Sequence, residues 1–323
     1  MTRLVHVGSA VVDYVYRIDA VPTPGTEKTA ADYARVAGGG FNMLVAAART
    51  GMRVVYGGQH GSGPNGEFLR AAFAEEKIET QTLPSPLMDT GNCVVLVTSD
   101  AERTFVSWPG AEGILDAGLL AQVSLGPGDW VFTSGYTLSY PRSRAALADW
   151  IEALPPEIPF VFDPAPVVAE IPRGLLSRVL ARTTWLSCNT AEAAAITGDS
   201  DIEAGSARLI ASHCPQAAGV VIRAGQRGCF VRLRDGSFHT LSGFDVAAVD
   251  TTGAGDTHIG AFISALARGA EPVEAARYAN AAAAVSVTRN GGSSAPTDAE
   301  IRAFLAARNT AEPPDHDRKK INA

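Results

Sequence analysis

Val249-Asp250-Thr251-Thr252-Gly253-Ala254-Gly255-Asp256-Thr257 is the stretch whose reading decides the fold. A β-like run, Asp245 to Val249, leads into it. Apolar residues at i, i+3, i+4 and i+7 (Ile259, Phe262, Ile263, Leu266) lead out of it. The pattern predicts a strand, a tight glycine-rich turn and a helix start, with Asp256 in the helix's first turn. Free N–H groups at a helix N-terminus attract anions, and small residues let a phosphate come close. A carboxylate beside an anion site repels the anion, so it needs a chemical reason. Taking a proton from an attacking hydroxyl is such a reason, and the segment then reads as a phosphoryl-transfer site. A loop in which glycine turns the chain and Asp256 caps a helix is the plainer alternative.

The full Asp-Thr-Thr-Gly-Ala-Gly-Asp-Thr string resembles the C-terminal signature of the PfkB (ribokinase-like) carbohydrate and nucleoside kinases. It departs visibly at His258, where members usually carry Phe. The resemblance implies a ribokinase-like three-layer α/β/α fold with a mainly parallel central sheet and a small β-sheet lid. It implies ATP and Mg²⁺ as cofactors and a sugar or nucleoside as the small-molecule partner. Asp256 becomes the general base, and the amides of Gly253, Ala254 and Gly255 become the anion hole. Many relatives bind a monovalent cation such as K⁺ near the residues matching Asp250, Thr252 and the 286–294 carbonyls.

Lysine occurs only at Lys28, Lys77, Lys319 and Lys320, and none follows a glycine. A Walker-type P-loop is therefore excluded, and the protein-kinase catalytic-loop pattern is absent. ATP must be held by helix dipoles, backbone amides, Mg²⁺ and arginine. A net charge of −7 speaks against nucleic acid as the main partner. No run of 18 apolar residues occurs, so no membrane contact is expected. The N-terminus starts directly as a strand, with no signal-peptide pattern. Cys93, Cys188, Cys214 and Cys229 lack metal spacing and read as small buried hydrophobes in a reducing, cytoplasmic setting.

Short apolar runs at Leu4–Val7, Arg53–Tyr56, Trp130–Thr133, Phe160–Phe162, Trp185–Ser187 and Val220–Arg223 read as strands. Helical stretches fall between them at Asn42–Arg49, Gly66–Glu76, Pro141–Leu154, Ala191–Ile196 and Ile202–His213. Such alternation predicts a parallel sheet covered by helices on both faces. After Asp256 come two adjacent helices, the second from Pro272 to before Gly291. Residues 14–36 and the hairpin-like 92–108 break the alternation, in the places where the family's lid segments lie. The kinase domain is expected over 1–308 and a flexible polar tail over 309–323. An uncovered lid sheet invites a partner, so a homodimer through the lid is expected.

Other stretches carry candidate ligands. In Gly38-Gly39-Gly40-Phe41-Asn42, glycines allow close approach and Asn42 can donate and accept at once, which suits a vicinal diol. A loop with an asparagine cap fits equally well. The resemblance makes Gly38, Gly39 and Asn42 sugar contacts. Asp13, at the carboxyl end of the first strand, lies where α/β sheets bind ligands, and the resemblance gives it a role in sugar binding.

Asn189 and Glu192 share one face of a nascent helix. They suit the waters of a Mg²⁺ ion, a helix capping box, or both. Gly225-Gln-Arg-Gly228 is a hairpin turn. In the kinases this turn runs along the ATP, which makes Arg223, Gly225 and Gly228 nucleotide-side candidates, with Thr252 and with Asn280 facing the adenine. Arg103, on the predicted hairpin, could close on a substrate or face solvent. Tyr14, Tyr16, Phe41 and Tyr136 are aromatics that a nucleoside acceptor would favour.

The reading is thus an ATP-dependent sugar kinase, with a nucleoside kinase as alternative. A non-catalytic sugar-binding regulator would have lost the base, and Asp256 is intact. A Rossmann dehydrogenase would need Gly-x-Gly-x-x-Gly after an early strand, and that is absent.

Overall fold

The computed structural model describes residues 2–100 and 102–309. Its main sheet is built from β1 (Arg3–His6), β4 (Arg53–Tyr56), β5 (Glu79–Thr80), β8 (Trp130–Ser134), β9 (Phe160–Asp163), β10 (Trp185–Asn189), β11 (Gly219–Arg223), β12 (Cys229–Leu233) and β13 (Phe238–Leu241). The strand order is β13-β12-β11-β10-β9-β8-β1-β4-β5. Every pairing from β11 to β5 is parallel, and β12 and β13 add an antiparallel edge. The central strands are apolar on both faces, as a sheet covered on two sides requires. Successive residues accordingly point into different cores. Leu4 and Val54 pack with one hydrophobic cluster, and their neighbours Val5 and Val55 with the other.

One face is covered by α1 (Gly40–Arg49) and α2 (Pro64–Glu75). The other carries the short α3 (Ala117–Leu120) and α4 (Gly135–Ser139), then α5 (Arg144–Glu152), α6 (Arg173–Arg182), α7 (Thr190–Thr197) and α8 (Ile202–Arg208). The chain returns to the first face with α9 (Ala254–Ala267), α10 (Pro272–Ser286) and α11 (Asp298–Asn309). Phe262 of α9 is buried edge-on against Trp185, ring centroids 5.2 Å apart. Burying a side chain of that size contributes about 2–3 kcal/mol. Helices α1 and α9 cross very closely. A Cβ on Gly260 would lie 2.5 Å from the Met43 carbonyl oxygen and 2.7 Å from the Ala46 methyl.

The smaller sheet has the order β3-β2-β6-β7, from β2 (Ala10–Arg17), β3 (Asp32–Gly39), β6 (Asn92–Val97) and β7 (Arg103–Trp108). The hairpin expected at 92–108 is present as β6 and β7, paired antiparallel; Ala101 of its turn lies outside the described residues. The lid reaches deeper than 14–36, because β2 begins at Ala10 and β3 runs to Gly39. Asp13 therefore sits inside a lid strand and not at the end of β1. Strand β7 leaves Phe105, Val106 and Trp108 exposed.

Three further expectations are corrected. Asp245–Val249 is not a strand. Strand β13 already closes the sheet, and the amides of Val249 and Asp250 instead donate to the Val287 carbonyl at the end of α10 (2.7 and 3.1 Å). The helix expected over Pro141–Leu154 is α5 alone, shortened to Arg144–Glu152, and the unexpected short α4 precedes it at Gly135–Ser139. Ile202–His213 changes winding at Leu209, where α8 passes into a π turn. The four cysteines are buried and unpaired, as expected. Of the tail expected over 309–323, Asn309 closes α11 and residues 310–323 lie outside the described residues. Among the described residues, no helix is long and apolar enough to cross a membrane.

Candidate active site

Helix α9 starts from Gly253, whose φ of 72° is the left-handed conformation that favours glycine. Space makes the same demand, since a Cβ there would lie 2.1 Å from the Gly292 carbonyl oxygen. The Ala254 amide closes the turn onto Thr251 O at 3.3 Å, so it is shared between that bond and any anion. Asp256 is the third residue of α9, where the helix dipole favours negative charge. Asn42 is likewise the third residue of α1. Because the two helices cross so closely, Asn42 Nδ2 donates to Asp256 Oδ2 at 3.4 Å across 214 residues of chain. Asn42 Oδ1 is buried with no partner, so half of this amide is available to a ligand hydroxyl.

Asp13 comes to the same place from β2. Gly38, in the paired strand β3, makes room for it: a Cβ on Gly38 would lie 2.1 Å from Asp13 Oδ2. Gly39 then enters α1 with φ 61°. Burial pushes the Asp13 carboxyl up to about 6. Asp256 is pushed up to about 7, first by burial, next by the charge of Asp163, with Asn42 and Arg223 opposing and Asp13 adding to the rise.

On the other side of Asp256 lies a buried charge cluster at the carboxyl ends of β9, β10 and β11. Arg223 donates to Ser187 Oγ at 2.6 Å and to Asp163 Oδ2 at 3.0 Å, and it lies 3.6 Å from Glu192 Oε2. A Cβ on Gly255 would sit 3.6 Å from its Nε, so the guanidinium lies beneath the anion turn. Glu192 forms the capping box of α7 with Asn189: its Oε2 accepts from the Asn189 amide at 2.7 Å and its Oε1 from Asn189 Nδ2 at 2.6 Å. Burial and then Asp163 raise the Glu192 pKa, against Arg223. Capping and ligand readings of this pair are thus compatible, the cap fixing the carboxylate. Asp163, Glu192 and Asp256 face a single guanidinium, and Glu192 and Asp256 are raised first by burial and then by the neighbouring charge of Asp163. Such a cluster suits a divalent cation held through water. No group of three His, Cys, Asp or Glu side chains converges on one point among the described residues, which speaks against direct ligation.

Gly225 and Gly228 form the turn between β11 and β12, with φ 59° and 90°. Gly228 packs under the Leu241 carbonyl. Asn280 reaches this carbonyl too, but it faces inward. Nδ2 donates to the carbonyls of Leu241 and Ser242 at 3.3 Å, and Oδ1 accepts from His258 Nε2 at 3.2 Å. Asn280 is buried, and its side chain holds the 241–242 loop and His258. That bond also accounts for His258. Burial lowers its pKa to about 3, it stays neutral, and it lies over the Phe262 ring in the core.

Thr252 donates its amide to Asp250 Oδ1 at 2.9 Å. Asp250 is held there as part of the turn. Asp163 is the site residue that sequence reasoning missed. Its signal was a carboxylate ending an apolar strand, Phe160-Val-Phe-Asp163, just before Pro164. Of the four candidate aromatics, Phe41 is buried against Phe73, and Tyr14 and Tyr16 pack with Tyr33 on the lid. Tyr136, the second residue of α4, keeps 41% of its surface accessible while the rest of the side chain is packed. Its phenol is pushed up to about 12 by burial and then by the charges of Asp256, Asp163 and Glu192.

The chain is similar to known proteins over nearly its whole length. The sequence model of the pfkB family carbohydrate kinases matches residues 1–299. A ribokinase of Haemophilus influenzae is 34% identical over 92% of this chain and 96% of its own. The Escherichia coli K12 protein YegV, an uncharacterized sugar kinase, is 32% identical over 94% and 93%. Among solved structures, a ribokinase from Giardia lamblia superposes with a TM-score of 0.84 at 26% identity, covering 95% of this chain and 99% of that one.

The raised Asp256 carboxyl carries a stability consequence. Its native pKa near 7 lies above the ordinary 3.8, so between those values the folded state binds more protons than the unfolded one. The protonated acid is the form that folding favours. Its contribution is complete below about pH 4 and is lost as pH rises through about 7. Asp256→Asn removes the charge that burial penalises. Thermal unfolding followed from pH 4 to 8 is expected to give a variant more stable than wild type at pH 8, with the gap closing by pH 4. A variant that is less stable at pH 8, or a gap that does not change with pH, contradicts the burial of this charge.

Proposed function

We propose that this chain, which belongs to the pfkB family of carbohydrate kinases, transfers the γ-phosphoryl group of ATP to a primary hydroxyl of a sugar, as a kinase of the ribokinase or fructokinase type. The observation that carries this reading is the meeting of Asn42 and Asp256 at the starts of two crossing helices, with half of the asparagine amide unpaired.

In this mechanism Asn42 and Asp13 orient the sugar hydroxyls. Asp256 takes the proton from the attacking hydroxyl at its carboxylate oxygen. A carboxyl with a pKa near 7 is a stronger base than an ordinary aspartate and still ionises at neutral pH. The amides of Gly253 and Gly255, with the shared amide of Ala254, accept the developing negative charge at the helix start. Arg223 lies beneath that turn and takes the part that a P-loop lysine plays elsewhere. The turn at Gly225 and Gly228 and the Thr252 segment border the nucleotide. Glu192, fixed by Asn189, with Asp163 beside it, would hold Mg²⁺ through water; bound there, the ion supplies charge for the transferring phosphoryl oxygens. Closure of the lid excludes water and limits loss of ATP to hydrolysis.

One observation favours a second acceptor class. Tyr136 is exposed beside the same carboxylates, and an aromatic face there could stack on a nucleoside base. A screen of ATP consumption across pentoses, hexoses, keto-deoxy acids and nucleosides separates the two. A sugar is expected to give the highest kcat/KM. A nucleoside in first place transfers the assignment to the second reading, and no acceptor-dependent consumption at all contradicts both.

We also propose that the protein pairs as a homodimer through the lid. Phe105, Val106 and Trp108 lie exposed on its edge strand β7, 58%, 62% and 66% accessible. Gel filtration with light scattering is expected to give a dimer that Trp108→Glu converts to a monomer. A wild-type monomer, or a variant dimer of unchanged stability, contradicts this interface.

A further inference from the structure

Asp250 stands at the entry to the anion turn and has both carboxylate oxygens engaged. Oδ1 accepts from the Thr252 amide at 2.9 Å and Oδ2 from the Gly291 amide at 3.1 Å. The carboxylate thereby ties the turn to the loop after α10, whose Gly292 carbonyl packs against Gly253. A third partner arrives from the lid. Arg103, the first residue of β7, donates Nη2 to Asp250 Oδ1, and its Nη1 lies 3.4 Å from Thr251 Oγ1. The two side chains are 20% and 12% exposed, so water screens this pair less than it would a surface pair.

The arrangement bears on the monovalent cation that the resemblance implies beside Asp250. A guanidinium already lies on one carboxylate oxygen and an amide on the other. A second positive charge against this side chain would be repelled by the first. The residues present do not fit a monovalent cation on the Asp250 carboxylate.

We infer that Arg103 is the resident counter-cation of Asp250, a positioning residue through which the closed lid holds the anion turn in shape without a monovalent metal ion. The lid strand β2 carries Asp13, on the acceptor side, and β7 carries Arg103, which grips the turn on the phosphate side. One sheet therefore touches both halves of the site. This inference goes beyond the kinase reading and rests on it for its kinetic arm only.

The test compares wild type with Arg103→Ala and Arg103→Lys. Initial rates are measured in potassium and in tetramethylammonium salts at constant ionic strength. Amide hydrogen exchange of residues 249–255 is measured on the free proteins. Wild type is expected to run at the same rate in both salts to within about twofold. Arg103→Ala is expected to lose about tenfold in tetramethylammonium, the scale of one charged hydrogen bond. It should recover on addition of guanidinium ion, with Arg103→Lys between the two. In the exchange arm, the amides of 249–255 are expected to exchange faster in Arg103→Ala. A purely structural role for Arg103 would not make the rate depend on an added cation. Activation of wild type several-fold by potassium overturns the inference, and so does an alanine variant that exchanges like wild type. The exchange arm needs no acceptor, so it can fail while the kinase reading stands, and can succeed if that reading fails.

Discussion

The site depends on the close crossing of α1 and α9. Gly260 lets the backbone of α1 approach, so that Met43 and Ala46 fill the space a side chain would take. The approach brings the third residues of the two helices together, and Asn42 meets Asp256 at 3.4 Å. A larger residue at 260 would separate the helices, and with them the two halves of the chemistry. Acceptor-side residues come from β2, β3 and α1, near the N-terminus, and phosphate-side residues from the carboxyl ends of β9 to β11 and the start of α9. Only tertiary packing makes them one site.

Electrostatics explains why the site should bind ligands carrying or accompanied by positive charge. Asp163, Glu192 and Asp256 share one guanidinium. Burying unbalanced charge costs stability, and Asp256 and Glu192 respond with raised pKa values. The imbalance favours a divalent ion together with a polyphosphate, because such a pair can enter a site where both acids and anion-binding amides await it. Sites that perform chemistry commonly keep strain of this kind, because removing it would remove the reactive group.

Much of this was legible in the sequence where the chemistry is local. The turn at Gly253, the place of Asp256 in the first turn of α9 and the cap formed by Asn189 and Glu192 each lie within a few residues and follow from backbone rules. The alternation of strands and helices predicted the parallel sheet for the same reason. What lay between distant segments was not legible. Asp163 reads as a lone strand-end carboxylate until Arg223, 60 residues on, pairs with it. His258 and Asn280 look like separate oddities until their hydrogen bond joins them. Asp245–Val249 has the composition of a strand, but the edge of the sheet is already taken by β13 and its amides turn to Val287. Asp13 reads as the carboxyl end of the first strand and not as part of a lid strand, because the second sheet's extent depends on pairings that no single segment encodes.

Asp256 is where the helix dipole, the buried charge and the acceptor side meet, and its role as base is the central claim. The most direct measurement is single-turnover phosphoryl transfer by Asp256→Asn, alongside calorimetric titration of ATP. The account predicts a loss of about 10²-fold or more in the transfer rate, with nucleotide affinity kept close to wild type because the amides and Arg223 are untouched. A variant that transfers phosphate at the wild-type rate contradicts it.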